Sequence, residues 1–159
     1  MNRNRKGASR RQETIRPWTY AKARAALPYL ASIVRSLREH RLEALRYRLA
    51  AQRLADRPGR PDRKALIAHE EALRDARQAE ERFAEALAEL EAIGVYCLHP
   101  VHGRALIPFV YNDQLAWFVY DLFDPEPLRF WRYHNDPIET RRPVTLAQKG
   151  TAEQTTPWA

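Results

Sequence analysis

His134, Asp136 and Glu139 place one imidazole and two carboxylates within six positions near the chain's last apolar run. Such a set could complete an open site for zinc or non-haem iron. It is equally the composition of a plain turn, because Asp136-Pro137 is a common turn dipeptide. His99 and His102 flank an earlier turn and would add nitrogen ligands only if the fold brought them close. Turn chemistry is the simpler expectation, and no cofactor is expected.

The remaining reactive residue types give less. His69 precedes Glu70 and Glu71, but no second histidine follows four residues on, so the two-histidine helical zinc pattern is missing. It should sit at a hairpin tip. Cys97, the only cysteine, lies between Tyr96 and Leu98, where a thiol is expected to be buried and inert. With five glycines in all, the chain shows no phosphate-cradling loop, nucleophile elbow or paired-carboxylate signature.

The elements that would position these residues are more clearly written. From Ala65 to Gly94, Leu66, Leu73, Ala76, Phe83, Leu87 and Leu90 recur at steps of three, four and seven, the spacing of one apolar helical stripe. A second stripe runs through Leu30, Val34, Leu37, Leu42, Leu45 and Leu49 to about Leu54. Asp56-Arg57-Pro58-Gly59-Arg60-Pro61-Asp62 separates the two and should turn them into an antiparallel hairpin over residues 19–93. Thr19 and Asp62 are placed as N-terminal caps, and Gly94 as the left-handed C-terminal stop. Pro28 should kink the first helix or split it in two. Each long helix spans roughly 40–45 Å. That is more than one small sheet can cover, which points to a flank for self-association or a partner.

Two charged residues occupy stripe positions, Arg41 on the first helix and Glu80 on the second. Antiparallel helices turning near Gly59 oppose positions summing to about 120, which sets 41 against 80. The pair is expected to act as an ion pair fixing register. Alternatively the stripe drifts towards Leu42, Leu45 and Leu49 and leaves Arg41 in solvent.

After Gly94 the period becomes two. Val95–Leu98, Arg104–Tyr111, Gln114–Phe123 and Leu128–His134 read as strands of a small antiparallel meander over residues 95–134, with Asn112-Asp113 as a tight hairpin turn. Pro108 cannot donate to a ladder and is placed at an edge or bulge. Both faces of the strand through Leu115, Trp117, Val119 and Leu122 are apolar. A partner, most simply a second copy forming a homodimer, is therefore expected on the face around Trp117, Val119 and Trp131. Phe118, Phe130, Tyr120 and Tyr133 read as core rather than as a base-stacking platform.

The net charge is +7. Arg3, Arg5, Lys6, Arg10, Arg11 and Arg16 against Glu13 give residues 1–16 a charge of +5, leaving +2 for the other 143 residues. Basicity thus belongs to a leader expected to be disordered. Salt-sensitive nucleic-acid contact through Arg3, Arg5, Lys6, Arg10 and Arg11 is an alternative function. Residues 17–143 form one α+β domain, and 144–159 a flexible polar tail. No signal peptide and no membrane span are visible, so a cytoplasmic location is expected.

The ordered series Thr19-Tyr20-Ala21, Ala25-Ala26-Leu27-Pro28-Tyr29-Leu30, Leu90-Glu91-Ala92-Ile93-Gly94-Val95, Gly103-Arg104-Ala105-Leu106-Ile107-Pro108 and Trp131 followed by Arg141-Arg142-Pro143 resembles the prokaryotic domain-of-unknown-function family numbered 2203. The resemblance spans roughly residues 18–144. It departs at Ile107-Pro108, where that family often carries an aspartate, and at Arg132, where it tends to place a histidine. The resemblance implies the fold and no activity. The expected architecture is α+β, a long antiparallel helical hairpin kinked near Pro28 and packed on a small antiparallel β-meander. The expected role is a non-enzymatic interaction or assembly module, with a metal-dependent site near the last strand as the rival.

Overall fold

A computed structural model describes residues 14–150. Thr19 caps a short helix α1 (Tyr20–Ala25), its hydroxyl accepting from the Lys22 amide at 3.1 Å. Ala26 is the joint, and the long helix α2 (Leu27–Ala55) begins with Pro28 in its first turn. There the missing N–H has no partner to lose, so the proline starts a helix instead of bending one. Asp62 caps α3 (Arg63–Ala92) by accepting from the Ala65 amide at 2.8 Å. Gly94, at φ +79°, ends it.

Five antiparallel strands follow in sequence order across one sheet: β1 (Tyr96–His99), β2 (Arg104–Tyr111), β3 (Gln114–Asp121), β4 (Phe130–Tyr133) and β5 (Arg142–Pro143). Asn112 and Asp113, at φ +50° and +58°, make the β2–β3 turn whose twist suits a two-residue hairpin. Gly103 permits the β1–β2 turn: its φ is +66°, and a Cβ there would lie 2.8 Å from Leu122 Cβ. Pro108 sits where β1 has run out, since Tyr96 opposite Leu106 is the last β1 pair on that side. Its carbonyl accepts instead from the Trp18 amide at 2.7 Å, and its missing donor lies on the same flank, where no β1 residue needs it.

The main core lies between sheet and hairpin. Leu30, Ile33, Val34 and Leu37 of α2 and Ala86 and Leu90 of α3 meet Ile107, Phe109, Phe118, Tyr120 and Trp131. Phe109 and Phe118 stack at 3.9 Å, and Trp131 stands edge-on to Phe109 at 5.8 Å. Two features differ from the sequence expectation. The tail from residue 144 opens with ordered structure: after β5, Thr145 and Gln148 form a reciprocal capping box for the helical turn α4 (Leu146–Lys149), with Gln148 buried. Polar composition concealed a cap. The hairpin seam, moreover, is built from alanines. Ala44 and Ala51 of α2 and Ala72, Ala76 and Ala79 of α3 are buried, whereas Leu42, Leu45, Leu49 and Leu66 are exposed. Small residues let the two backbones approach closely, and the larger side chains are left on the outside.

Candidate interaction surface

The rival metal site at His134, Asp136 and Glu139 does not assemble among the described residues. Asp136 is bound by Arg142 through two hydrogen bonds of 2.8 and 3.0 Å and also accepts from the Tyr133 amide at 2.9 Å. The Arg142 guanidinium, chiefly through its hydrogen bonds, holds that carboxyl below the usual carboxylate range. His134 uses Nδ1 to accept from the Trp117 indole N–H at 3.1 Å, and Glu139 is exposed. Among the described residues, no group of three histidines, cysteines or carboxylates is placed to hold a metal ion. The His134, Asp136 and Glu139 segment is a turn closed by an arginine. Arg132 braces it: 6% exposed, its guanidinium donates to the Tyr133, His134 and Asp136 carbonyls at 3.3 to 3.5 Å. The sequence reading gave Arg132 no role, and its only signal was a cation inside an aromatic strand.

The proposed sheet interface also changes. Trp117 and Val119 lie on the face away from the helices, in a cluster with Leu106, Tyr96, Leu98 and Leu115. Trp131 lies on the opposite face, because it pairs with Phe118 and packs in the main core. The three residues therefore form no common surface. Trp117 and Val119 are 6% and 4% exposed within the single chain. Tyr96, edge-on to Trp117 at 5.6 Å, and His134 shield the indole from opposite sides. The outer face of the sheet is therefore not bare at Trp117 and Val119.

Glu80 does form an ion pair across the hairpin, but with Arg48 rather than Arg41. Two hydrogen bonds of 2.8 and 2.9 Å join them, with both side chains over 40% exposed. The Arg48 hydrogen bonds are the main reason the Glu80 carboxyl lies below its ordinary value. Arg41 instead lies over the Phe83 ring at 5.9 Å. An arginine is long enough to meet a carboxylate more than a turn from its own level, so numerical opposition does not choose the partner. His69 lines a cavity of about 360 Å³ at the hairpin tip with Pro58, Gly59 and Pro61, as its position suggested. Cys97 is half-buried, and burial raises its thiol pKa, the opposite of an activated nucleophile. Arg3, Arg5, Lys6, Arg10 and Arg11 lie outside the described residues.

What remains unpartnered is on α2. Leu27, Leu30, Val34, Arg38, Leu42, Leu45 and Leu49 follow one another at steps of three and four, so they share one ridge of the helix. Its first members enter the core with the sheet. Arg38 marks the sheet's border, donating from Nε to the Val101 carbonyl at 2.9 Å and covering the Phe123 ring at 5.2 Å. Beyond it the ridge continues largely open among the described residues: Leu42 is 37%, Leu45 47% and Leu49 51% exposed, with Phe123 at 62% beside Arg38. Leu66 of α3, 53% exposed, lies farther towards the tip.

A two-helix arm laid on a five-stranded antiparallel sheet defines an α+β protein whose arm outreaches its sheet. The chain belongs to the uncharacterized conserved protein family DUF2203, which it matches over residues 16–144. No curated protein and no solved structure matches it. Among the described residues no helix is long and apolar enough to cross a membrane.

Proposed function

We propose that this protein is an interaction module that docks a partner on the bare ridge of α2. One observation carries the reading: the ridge that packs on the sheet at Leu30 and Val34 continues past the sheet's edge as Leu42, Leu45 and Leu49, still leucine and exposed among the described residues. Single exposed leucines are ordinary. Three in register on one ridge are an anchor pattern for helix-in-groove or helix-on-helix docking. Of the two surfaces expected from the sequence, the sheet face and the overlong hairpin, the reading keeps the hairpin, and the occupant is either a second copy or another protein. A reducing, cytoplasmic setting fits a chain with one cysteine.

The test compares the full chain with a Leu42→Ser/Leu45→Ser/Leu49→Ser variant. Sedimentation velocity reads self-association, and fluorescence anisotropy reads binding of helical peptides that display a leucine stripe. The wild-type chain should do one or the other and the variant neither. A wild-type chain that stays monomeric and ignores every such peptide defeats the reading.

A further inference from the structure

We infer that the occupant of this ridge is an amphipathic helix of another protein, its apolar stripe flanked by aspartate and glutamate. The inference rests on the docking reading and adds the partner's chemistry. The two helices of the arm carry opposite charge. On α2, Arg35, Arg38, Arg41, Arg46, Arg48 and Arg53 stand against Glu39 and Glu43, six against two, or +4. On α3, five cations stand against eight carboxylates, or −3. The leucines are therefore set in a cationic surround. Arg38 precedes Leu42 on the ridge, Arg41 and Arg46 flank Leu42 and Leu45, and Arg53 lies one turn beyond Leu49. Glu80 offsets Arg48, yet Arg41, Arg46 and Arg53 are exposed and meet no carboxylate within salt-bridge distance among the described residues. An apolar strip with a cationic rim selects an acidic partner, and it does so mainly through encounter rate and discrimination.

A second copy fits this surface less well. The sheet stands on the same side of the arm as the leucines, because Arg38 and the leucines share the ridge that reaches Val101 and Phe123. Two arms can therefore lie along one another only with their sheets at opposite ends. A twofold pair aligned in that way lays α2 on α2, arginine against arginine. An anionic bilayer would also attract the charge. However, α2 is packed along its length against α3, and three leucines are a smaller apolar face than an interfacial helix inserts.

The experiment uses the full chain and three designed helical peptides of about 20 residues. All three carry the same leucine stripe, with flanks of Glu, Gln or Lys, and binding is read by anisotropy at low and physiological salt. The Glu peptide should bind roughly tenfold more tightly than the Gln peptide, the Lys peptide should bind weakest, and added salt should narrow the gap. An Arg46→Glu/Arg53→Glu variant, with its helicity checked by circular dichroism, should shift the preference towards the Lys peptide. Equal binding of the Glu and Gln peptides overturns the acidic partner and leaves docking itself standing. So does a dimer that Leu45→Glu dissociates in a chain that binds no peptide. Binding to phosphatidylglycerol vesicles with no peptide binding overturns the inference as well. If neither Leu45→Glu nor Leu45→Ser changes any of these readings, the inference and the docking reading fall together.

Discussion

The near and far halves of the helical hairpin use the same two helices and solve different problems. In the near half, large side chains face the sheet: Leu30, Leu37 and Leu90 are fully buried against aromatic rings. In the far half the fully buried residues are alanines, while Leu42, Leu45, Leu49 and Leu66 are exposed and Leu54 and Leu73 half-buried. The near half stabilises the fold through apolar area withdrawn from water. The far half is joined through the buried alanines Ala44, Ala51, Ala72, Ala76 and Ala79, whose small side chains fill the seam between the helices. The difference teaches that residue type alone does not locate the core of a long hairpin. A leucine is buried only where another element exists to cover it.

Substitutions can sharpen or break this contrast. The largest effect belongs to the near half: Leu30→Ala or Leu37→Ala should lower unfolding free energy by about 2–5 kcal/mol in chemical denaturation, because each leaves a cavity under the sheet. In the far half the cost should come from adding volume. Ala76→Leu, at a fully buried seam position, should destabilise by about 1–3 kcal/mol. Removing the α3 cap with Asp62→Ala should cost about 0.5–2 kcal/mol, read from the same denaturation curves. Leu45→Ser should stay within about 0.5 kcal/mol of wild type, since its side chain is already half in solvent. A Leu45→Ser loss as large as that of Leu37→Ala would erase the distinction between the halves.

The smallest effect is a pH dependence. The Arg142 hydrogen bonds hold the Asp136 carboxyl below its ordinary value, so the folded chain keeps it ionised at a pH where the unfolded chain would protonate it. That contribution is complete above the ordinary aspartate value of about 3.9 and is lost as pH falls through the lowered one. Asp136→Asn should lower thermal stability slightly near neutrality and flatten the acid limb, the two profiles converging at low pH where the wild-type carboxyl is protonated.

Much of the fold could be read from local chemistry. Thr19, Asp62 and Gly94 each mark an end because a cap is decided within four residues. Asn112-Asp113 marks a turn because its dihedral demand is equally short-range. The helical hairpin and the antiparallel meander follow from the change of period at Gly94. What could not be read depends on distance through space. Trp131 and Trp117 alternate onto opposite faces only once the β3–β4 register is set, and Phe118 opposite Trp131 sets it. The choice of Arg48 over Arg41 depends on the length and lean of a flexible side chain. The bare ridge was legible only as helices longer than a sheet can cover. Its position needed to be known from where the sheet ends, at Val101 and Phe123.

The alanine seam has a mechanical consequence. Two helices joined along a seam of alanines support one another, so the part of α2 beyond Arg38, residues 39–55 and about 26 Å, acts as a stiff lever. Its fulcrum is the bond from Arg38 to Val101, where the rod leaves its base. A load hung on the outer leucines is transmitted as torque to the β1–β2 turn, more than a turn of helix away from where it is applied.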